Sequence, residues 1–186
     1  MKEFQDKDFI PVGDVKLVVM HSPGHTPESS CYLLLDKASK AECIFTGDTV
    51  FLGDVGRPDL AVKYNGSIEE EAGVLYDSMK KVKSLDGNIR IYPGHGSGSP
   101  CGKNIGTGNF CTVEGQQNNN YGFKFDNKEE FVKAVVADLS KPPQYFFHVA
   151  KLNQTGVGKL DEMFEKVNHP LSVEEFQELM GKMPVI

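Results

Sequence analysis

The first third of the chain alternates short apolar runs with tight polar turns, the spacing of a sheet built from neighbouring strands. Phe9-Ile-Pro-Val and Val15-Lys-Leu-Val-Val-Met flank Gly13-Asp14, which predicts two strands joined by a tight hairpin. Ser30 to Leu35 and Cys43 to Thr46 extend the sheet, with the polar Asp36-Lys-Ala-Ser-Lys as the turn between them. Two of these strands run into turns that carry polar groups able to bind a cation, His25 on one and Asp48 on the other. Pro23-Gly24 and Pro27 pin the turn around His25, and Gly47 is expected to let the backbone pass close to whatever Asp48 holds.

Beyond Asp48 the pattern changes. Phe51-Leu-Gly-Asp-Val-Gly-Arg-Pro-Asp-Leu is too broken by glycine and proline for a helix or a strand, and predicts a loop. Ser67 with Glu70 three residues later makes a capping box, and Ile68, Ala72, Leu75, Met79 and Val82 recur at helical spacing, so an amphipathic helix follows. Its acidic start (Glu69, Glu70, Glu71) and basic end (Lys80, Lys81, Lys83) suit the helix dipole and need no functional explanation. Asn88 to Tyr92 predicts a strand ending in Pro93-Gly-His-Gly, a third strand end with a third candidate, His95. The segment from Ser97 to about Phe125, rich in Gly, Asn, Gln and Ser, predicts a long irregular loop folded over the site.

Asn127 and Glu130 then cap a helix with Phe131, Val135 and Leu139 on one face, stopped by Pro142-Pro143. Short helices are expected from Gln144 and from Leu160 to Val167. Ser172 at an N-cap, Glu175 three positions on and Leu171 against Phe176 specify one more helix, after which Pro184-Val-Ile looks like the entry to a strand. The expected boundary is His169-Pro170, with residues 1–169 as one domain and 170–186 as a linker and the beginning of another.

Composition narrows the partners. The 186 residues are 39% hydrophobic and 25% charged, enough for one sizeable core. A net charge of -6 argues against nucleic acid and anionic membrane surfaces, so small molecules are the expected partners. No apolar run approaches the roughly 18 residues needed to span a bilayer, and Met1-Lys-Glu-Phe-Gln-Asp-Lys-Asp is too polar for a signal peptide, which predicts a cytoplasmic protein. Cys31, Cys43, Cys101 and Cys111 show no Cys-x-x-Cys spacing, so reduced thiols are expected.

Brought together, His25, Asp48 and His95 would form a nitrogen- and oxygen-rich metal site. Imidazoles and a carboxylate suit zinc, and two histidines with one carboxylate suit ferrous iron with open positions. Ligand type alone leaves both metals open.

Three stretches carry a resemblance: Ser-Pro-Gly-His-Thr-Pro-Glu-Ser-Ser-Cys-Tyr-Leu-Leu (22–34), Phe-Thr-Gly-Asp-Thr-Val-Phe-Leu-Gly-Asp-Val-Gly-Arg-Pro-Asp-Leu (45–60) and Tyr-Pro-Gly-His-Gly-Ser-Gly-Ser-Pro-Cys-Gly (92–102). In order and over about residues 8–168 they resemble the metallo-β-lactamase superfamily, most closely its persulfide dioxygenases fused to rhodanese domains. The resemblance implies an α/β fold, the αββα sandwich, here its C-terminal portion, followed at 170–186 by the opening helix of a rhodanese domain. It implies His25 and Asp48 as metal ligands, and His95 as a ligand of a second metal in the hydrolases or a group behind the ligands in the iron enzymes. Asp48 and His95 become the catalytic candidates, Fe(2+) the expected metal and Zn(2+) the alternative.

Arg57 lies where the dioxygenases present an arginine to a carboxylated thiol, with a surface salt bridge as the competing role, and Cys101 could meet a sulfur substrate. The His-x-His-x-Asp-His loop of the superfamily has no counterpart in residues 1–24, and His21 is expected to pack or cap locally. The implied activity is oxidation of a low-molecular-weight persulfide to thiol and sulfite. A glyoxalase-II-like thioester hydrolase with two metals is the alternative, and a non-catalytic fragment the third reading. Apolar strand faces left uncovered would pair with a second copy or with a separate N-terminal piece.

Overall fold

The computed structural model describes residues 3–60, 66–137, 139, 145–156, 158, 164, 168 and 170–182. The chain divides into two units, Met1–Lys141 and Pro142–Ile186. In the first, β1 (Phe9–Val12), β2 (Val15–His21), β3 (Ser30–Leu35), β4 (Ala41–Gly47), β7 (Arg90–Pro93) and β8 (Cys111–Thr112) form one sheet, in the order β1-β2-β3-β4-β7-β8. Among the described residues, only the β4–β7 pair of this sheet is parallel. The hairpin expected at Gly13-Asp14 is present: Val12 pairs with Val15, and Gly13 at φ +60° takes the position that two-residue turns of this kind reserve for glycine.

The parallel crossover from β4 to β7 passes through α1 (Ile68–Lys83), and the capping box that predicts it is formed, with Ser67 Oγ accepting from Glu70 N–H and Glu70 Oε2 from Ser67 N–H. Ala72, Leu75, Tyr76, Met79 and Val82 of α1 are buried, with Cys31, Ile44 and Ile91 of the sheet in the same core. Cross-strand register explains the match, since Val18, Leu33, Ile44 and Ile91 stand opposite one another on one face of β2, β3, β4 and β7. A helix α3 (Lys128–Val136), capped by Asn127 as expected, adds Phe131 and Val135 to that core. Leu139 lies past its end.

The opposite face is apolar too. Tyr32, Phe45 and Tyr92 are register neighbours, and Phe110 continues the row. The Phe45–Tyr92 and Tyr92–Phe110 ring centroids are 5.7 and 5.5 Å apart. Tyr32, Phe45 and Phe110 are all exposed.

Two stretches expected to be irregular are not. Val50–Phe51 (β5) and Asp54–Val55 (β6) pair as a minimal hairpin around Leu52-Gly53. The long polar segment contains β8, helix α2 (Val113–Asn119) and a 3-10 turn, Tyr121–Lys124. The cause is a polar interior. Gln116 and Asn120, one helical turn apart, are both buried. Asn120 Nδ2 faces the carbonyls of Phe51 and Asp54 at 3.2 and 2.7 Å and Gln116 Oε1 at 2.8 Å, while Gln116 Oε1 also accepts from Gly53 N–H. Together they satisfy a hairpin too short to satisfy itself. Asn120→Leu should cost about 3 kcal/mol, because two buried carbonyls lose their donor; urea denaturation would measure it.

In the second unit, α4 (Phe146–Thr155) ends at Gly156. The last helix, α5 (Val173–Lys182), has the expected reciprocal cap between Ser172 and Glu175. Leu171 and Phe176 are both exposed. The stop at Pro142-Pro143, the helix over 160–167 apart from Phe164, and the strand expected from Pro184 lie outside the described residues.

Candidate metal centre

Three strand ends meet as the sequence predicts. The turn after β2 is fastened to α1: Ser78 Oγ donates to the Pro23 carbonyl at 2.7 Å, and Gly24, at φ +129°, lies so close to α1 that a Cβ there would stand 2.5 Å from Leu75 Cα. Ser22 N–H bonds the Ser29 carbonyl and Thr26 N–H the Ser29 hydroxyl, which closes the turn around His25. His25 is 8% exposed. Its Nδ1 lies 2.9 Å from the Arg57 carbonyl, and because a carbonyl only accepts, Nδ1 carries the proton. With Nδ1 so committed, Nε2 is the ring nitrogen left to face Asp48 or a cation.

That Nε2 is 3.3 Å from Asp48 Oδ2, and His95 Nε2 is 3.2 Å from Asp48 Oδ1. One carboxylate is therefore flanked by two imidazoles, each on its own oxygen. Burial alone would raise the Asp48 carboxyl, but hydrogen bonds and charge from His25, and then from His95, outweigh it and hold it below the usual aspartate range. Asp48 is thus a carboxylate at neutral pH. His95 follows β7, whose end is tied to β4 by Gly94 N–H on the Gly47 carbonyl at 2.8 Å, and its ring lies 5.9 Å from that of Phe51.

The role expected of Gly47 falls to other glycines. Gly47 has φ +49° and open space around it, so its reason is the backbone conformation. Close approach occurs at Gly94, where a Cβ would be 2.9 Å from Asp48 Oδ1, and at Gly56, where it would be 1.9 Å from the Asp48 carbonyl oxygen.

Arg57 is 5% exposed and grips Asp59 with both arms of its fork, Nε to Oδ1 at 2.9 Å and Nη2 to Oδ2 at 2.7 Å, while Nη1 donates to the Pro100 carbonyl. The side chains of the pair are 5% and 10% exposed, so it is largely withdrawn from solvent, where a surface salt bridge is the competing expectation. Arg57→Ala should cost about 3 kcal/mol, since Asp59, its side chain 10% exposed, is left without its cation. Arg57→Lys should restore little of it, because an ammonium cannot make the fork; thermal melts of the three proteins compare them.

Cys101 lies with Asp48 and His95, their ligand atoms all within 4.8 Å of one another. Cys31 and Cys43 are buried, and none of the four cysteines is in a disulfide. His21 is exposed, with Nε2 on the Pro27 carbonyl, the local role expected of it. The His95 imidazole, the Asp48 carboxylate and the Cys101 thiol, with the His25 imidazole on the other Asp48 oxygen, are a donor set that fits a divalent cation of the zinc or ferrous class. Nothing in the sequence marks Gly56 and Gly94 as points of close approach. Ser78 had one signal, a small polar residue on the apolar face of a helix beside Leu75 and Met79.

No family model matches the chain. It is 36% identical over 129 residues to a probable polyketide biosynthesis zinc-dependent hydrolase, PksB, of Bacillus subtilis strain 168, covering 69% of this chain and 48% of that protein. It is 37% identical over 90 residues to the hydroxyacylglutathione hydrolase of Francisella philomiragia, covering 48% of this chain and 31% of that enzyme. The chain thus spans half or less of the length of these relatives. Among solved structures it is similar to a metallo-β-lactamase from Staphylococcus aureus, with a TM-score of 0.74 and 37% identity over 83% of this chain and 45% of that one. It is also similar to ETHE1 from Myxococcus xanthus, with a TM-score of 0.64 and 25% identity over 82% of this chain and 59% of that one.

These similarities support the metallo-β-lactamase superfamily, and the α/β fold, a mixed sheet with helices, is that of the two solved structures. They give iron no support over zinc. No helix among the described residues is long and apolar enough to cross a membrane.

Proposed function

We propose that this chain supplies the His25–Asp48–His95 part of a metal-dependent enzyme acting on a low-molecular-weight sulfur compound, and that its reaction is persulfide oxidation. The observation that carries the reading is the single carboxylate of Asp48 between two imidazoles with a cysteine thiol beside it. The three motifs shared with persulfide dioxygenases support it, as does the likeness to ETHE1 over 82% of the chain. In the balanced reaction, persulfide, dioxygen and water give thiol, sulfite and two protons; the terminal sulfur is oxidised and dioxygen reduced.

His25 Nε2 and Asp48 would hold the metal, and ferrous iron there would supply the electron chemistry that dioxygen requires. The chain's own residues prepare that position. The Arg57 carbonyl fixes the His25 tautomer and ring plane, His95 steadies the Asp48 carboxylate, and Arg57 holds the Cys101 loop beside them. The terminal helix α5 is read as the opening helix of a rhodanese-like module.

A second reading is thioester hydrolysis. It is favoured by the hydroxyacylglutathione hydrolase relative and by the way each Asp48 oxygen faces its own imidazole, which suits a carboxylate shared by two cations. Metal analysis and assay of the chain as it stands, loaded anaerobically with Fe(2+) or Zn(2+), separate the two. One iron per chain with persulfide-dependent oxygen uptake and sulfite release upholds the dioxygenase. Two metals with thioester cleavage favour the hydrolase, and no bound metal favours a non-catalytic role.

The exposed aromatic row of the sheet supports the pairing proposed for this chain, with a second copy or a complementing N-terminal piece. Light scattering should then give a mass above one chain, and Phe45→Lys should lower it; a monomer that binds no hydrophobic dye would overturn the pairing.

A further inference from the structure

The structure assigns to this chain a thiolate-containing cation position on the His95 side of Asp48, held by Asp48, His95 Nε2 and Cys101 Sγ, for a soft divalent cation of the zinc type. It shares two residues with the reading above but stands on Cys101, to which that reading gives no ligand role. Asp48 has two oxygens and they diverge: Oδ2 turns to buried His25, while Oδ1 turns to His95 at the more open edge. The three donor atoms lie within 4.8 Å of one another. Donors around one tetrahedral zinc sit roughly 3–4 Å apart, so closing the site takes a movement of about 1 Å. The His95 side chain, 43% exposed, has room to make it.

Cys101 does not reach this place on a loose loop. Its carbonyl accepts from Arg57 N–H at 3.2 Å, the carbonyl of Pro100 before it accepts from the Arg57 guanidinium, and its own N–H is bonded to Ser99 Oγ. On the far side, a Cβ at Gly102 would stand 2.7 Å from Asp54 Oδ2, the oxygen that accepts from Asn104 N–H at 2.6 Å. Buried Arg57, paired with Asp59, thus anchors one flank of Cys101 and buried Asp54 the other. Two buried charged groups are spent on the placement of one partly exposed thiol.

The donor chemistry sets the cation. A carboxylate and an imidazole would accept many divalent ions, but a thiolate discriminates against magnesium and calcium and for zinc or ferrous iron. Three protein donors also leave a fourth position open, the arrangement of catalytic rather than structural zinc sites.

Cobalt(II) titration of the full chain tests the assignment. A sulfur-to-cobalt charge-transfer band should appear in the near ultraviolet, vanish in Cys101→Ser and survive in Cys111→Ser. On the unmutated chain, zinc should slow alkylation of Cys101 at least tenfold while leaving partly exposed Cys111 unchanged, as read by peptide mass mapping. Absence of the band, its survival in Cys101→Ser, or equal alkylation with and without zinc would each overturn the assignment. Loss of persulfide turnover with the band intact would instead count against the proposed reaction alone.

Discussion

Asp48→Asn is expected to weaken binding of the first metal at least a hundredfold, the upper end of what loss of a group merely supporting a ligand costs, because here the ligand's own charge is removed. Asparagine keeps the shape and can still meet both imidazoles, so the fold should persist, and calorimetric titration with zinc isolates the effect. Every donor around this point addresses Asp48: His25 at Oδ2, His95 at Oδ1 and Cys101 alongside.

The same change has a signature without metal. The Asp48 carboxyl is held below the usual aspartate range, so its pairing stabilises the fold above the pH where an unfolded aspartate titrates, and that contribution is lost as pH falls through the depressed value. In Asp48→Asn this part of the acid-side loss should disappear. An unchanged zinc affinity in the variant would remove Asp48 from the centre.

What could be read from the letters was what is local. The hairpin at Gly13, the cap at Ser67, the cap at Asn127 and the reciprocal cap at Ser172 each depend on residues within four positions of one another, and each is present. His25, Asp48 and His95 were legible because turn residues bracket each of them at a strand end, and strand ends on one edge of a sheet have few places to go. The failures are long-range. Gln116 and Asn120 look like solvent-facing loop residues until β5 and β6 supply, more than sixty positions away, the carbonyls and N–H that need them. The partners of the Arg57 guanidinium, Asp59 and the Pro100 carbonyl, likewise leave no mark in the sequence that pairs them. Proximity between backbones leaves no periodicity at all, so the closeness that the sequence suggests at Gly47 belongs instead to Gly56 and Gly94.

Gly56 carries the sharpest consequence. Its N–H bonds the Thr49 carbonyl, so the strand end after β6 is laid directly against the turn that presents Asp48. An added methyl would sit 1.9 Å from the Asp48 carbonyl oxygen and 3.4 Å from His25 Cβ. The obstacle is backbone on one side and the base of the His25 side chain on the other, so no flexible side chain can yield. Gly56→Ala should therefore cost at least roughly 3 kcal/mol, the upper range of overpacking in a well-packed interior, and the fraction that still folds should bind zinc more weakly because Asp48 and His25 are pushed apart. Gly13→Ala is the comparison: φ is +60° but nothing lies within 4 Å, so only the left-handed backbone is penalised, at about 1–2 kcal/mol. Urea denaturation and zinc titration of both variants decide between close approach and backbone conformation. If Gly56→Ala were as stable as the unmutated chain and bound zinc equally well, the two turns could not lie as close as described, and the convergence of His25 with Asp48 would lose its structural basis.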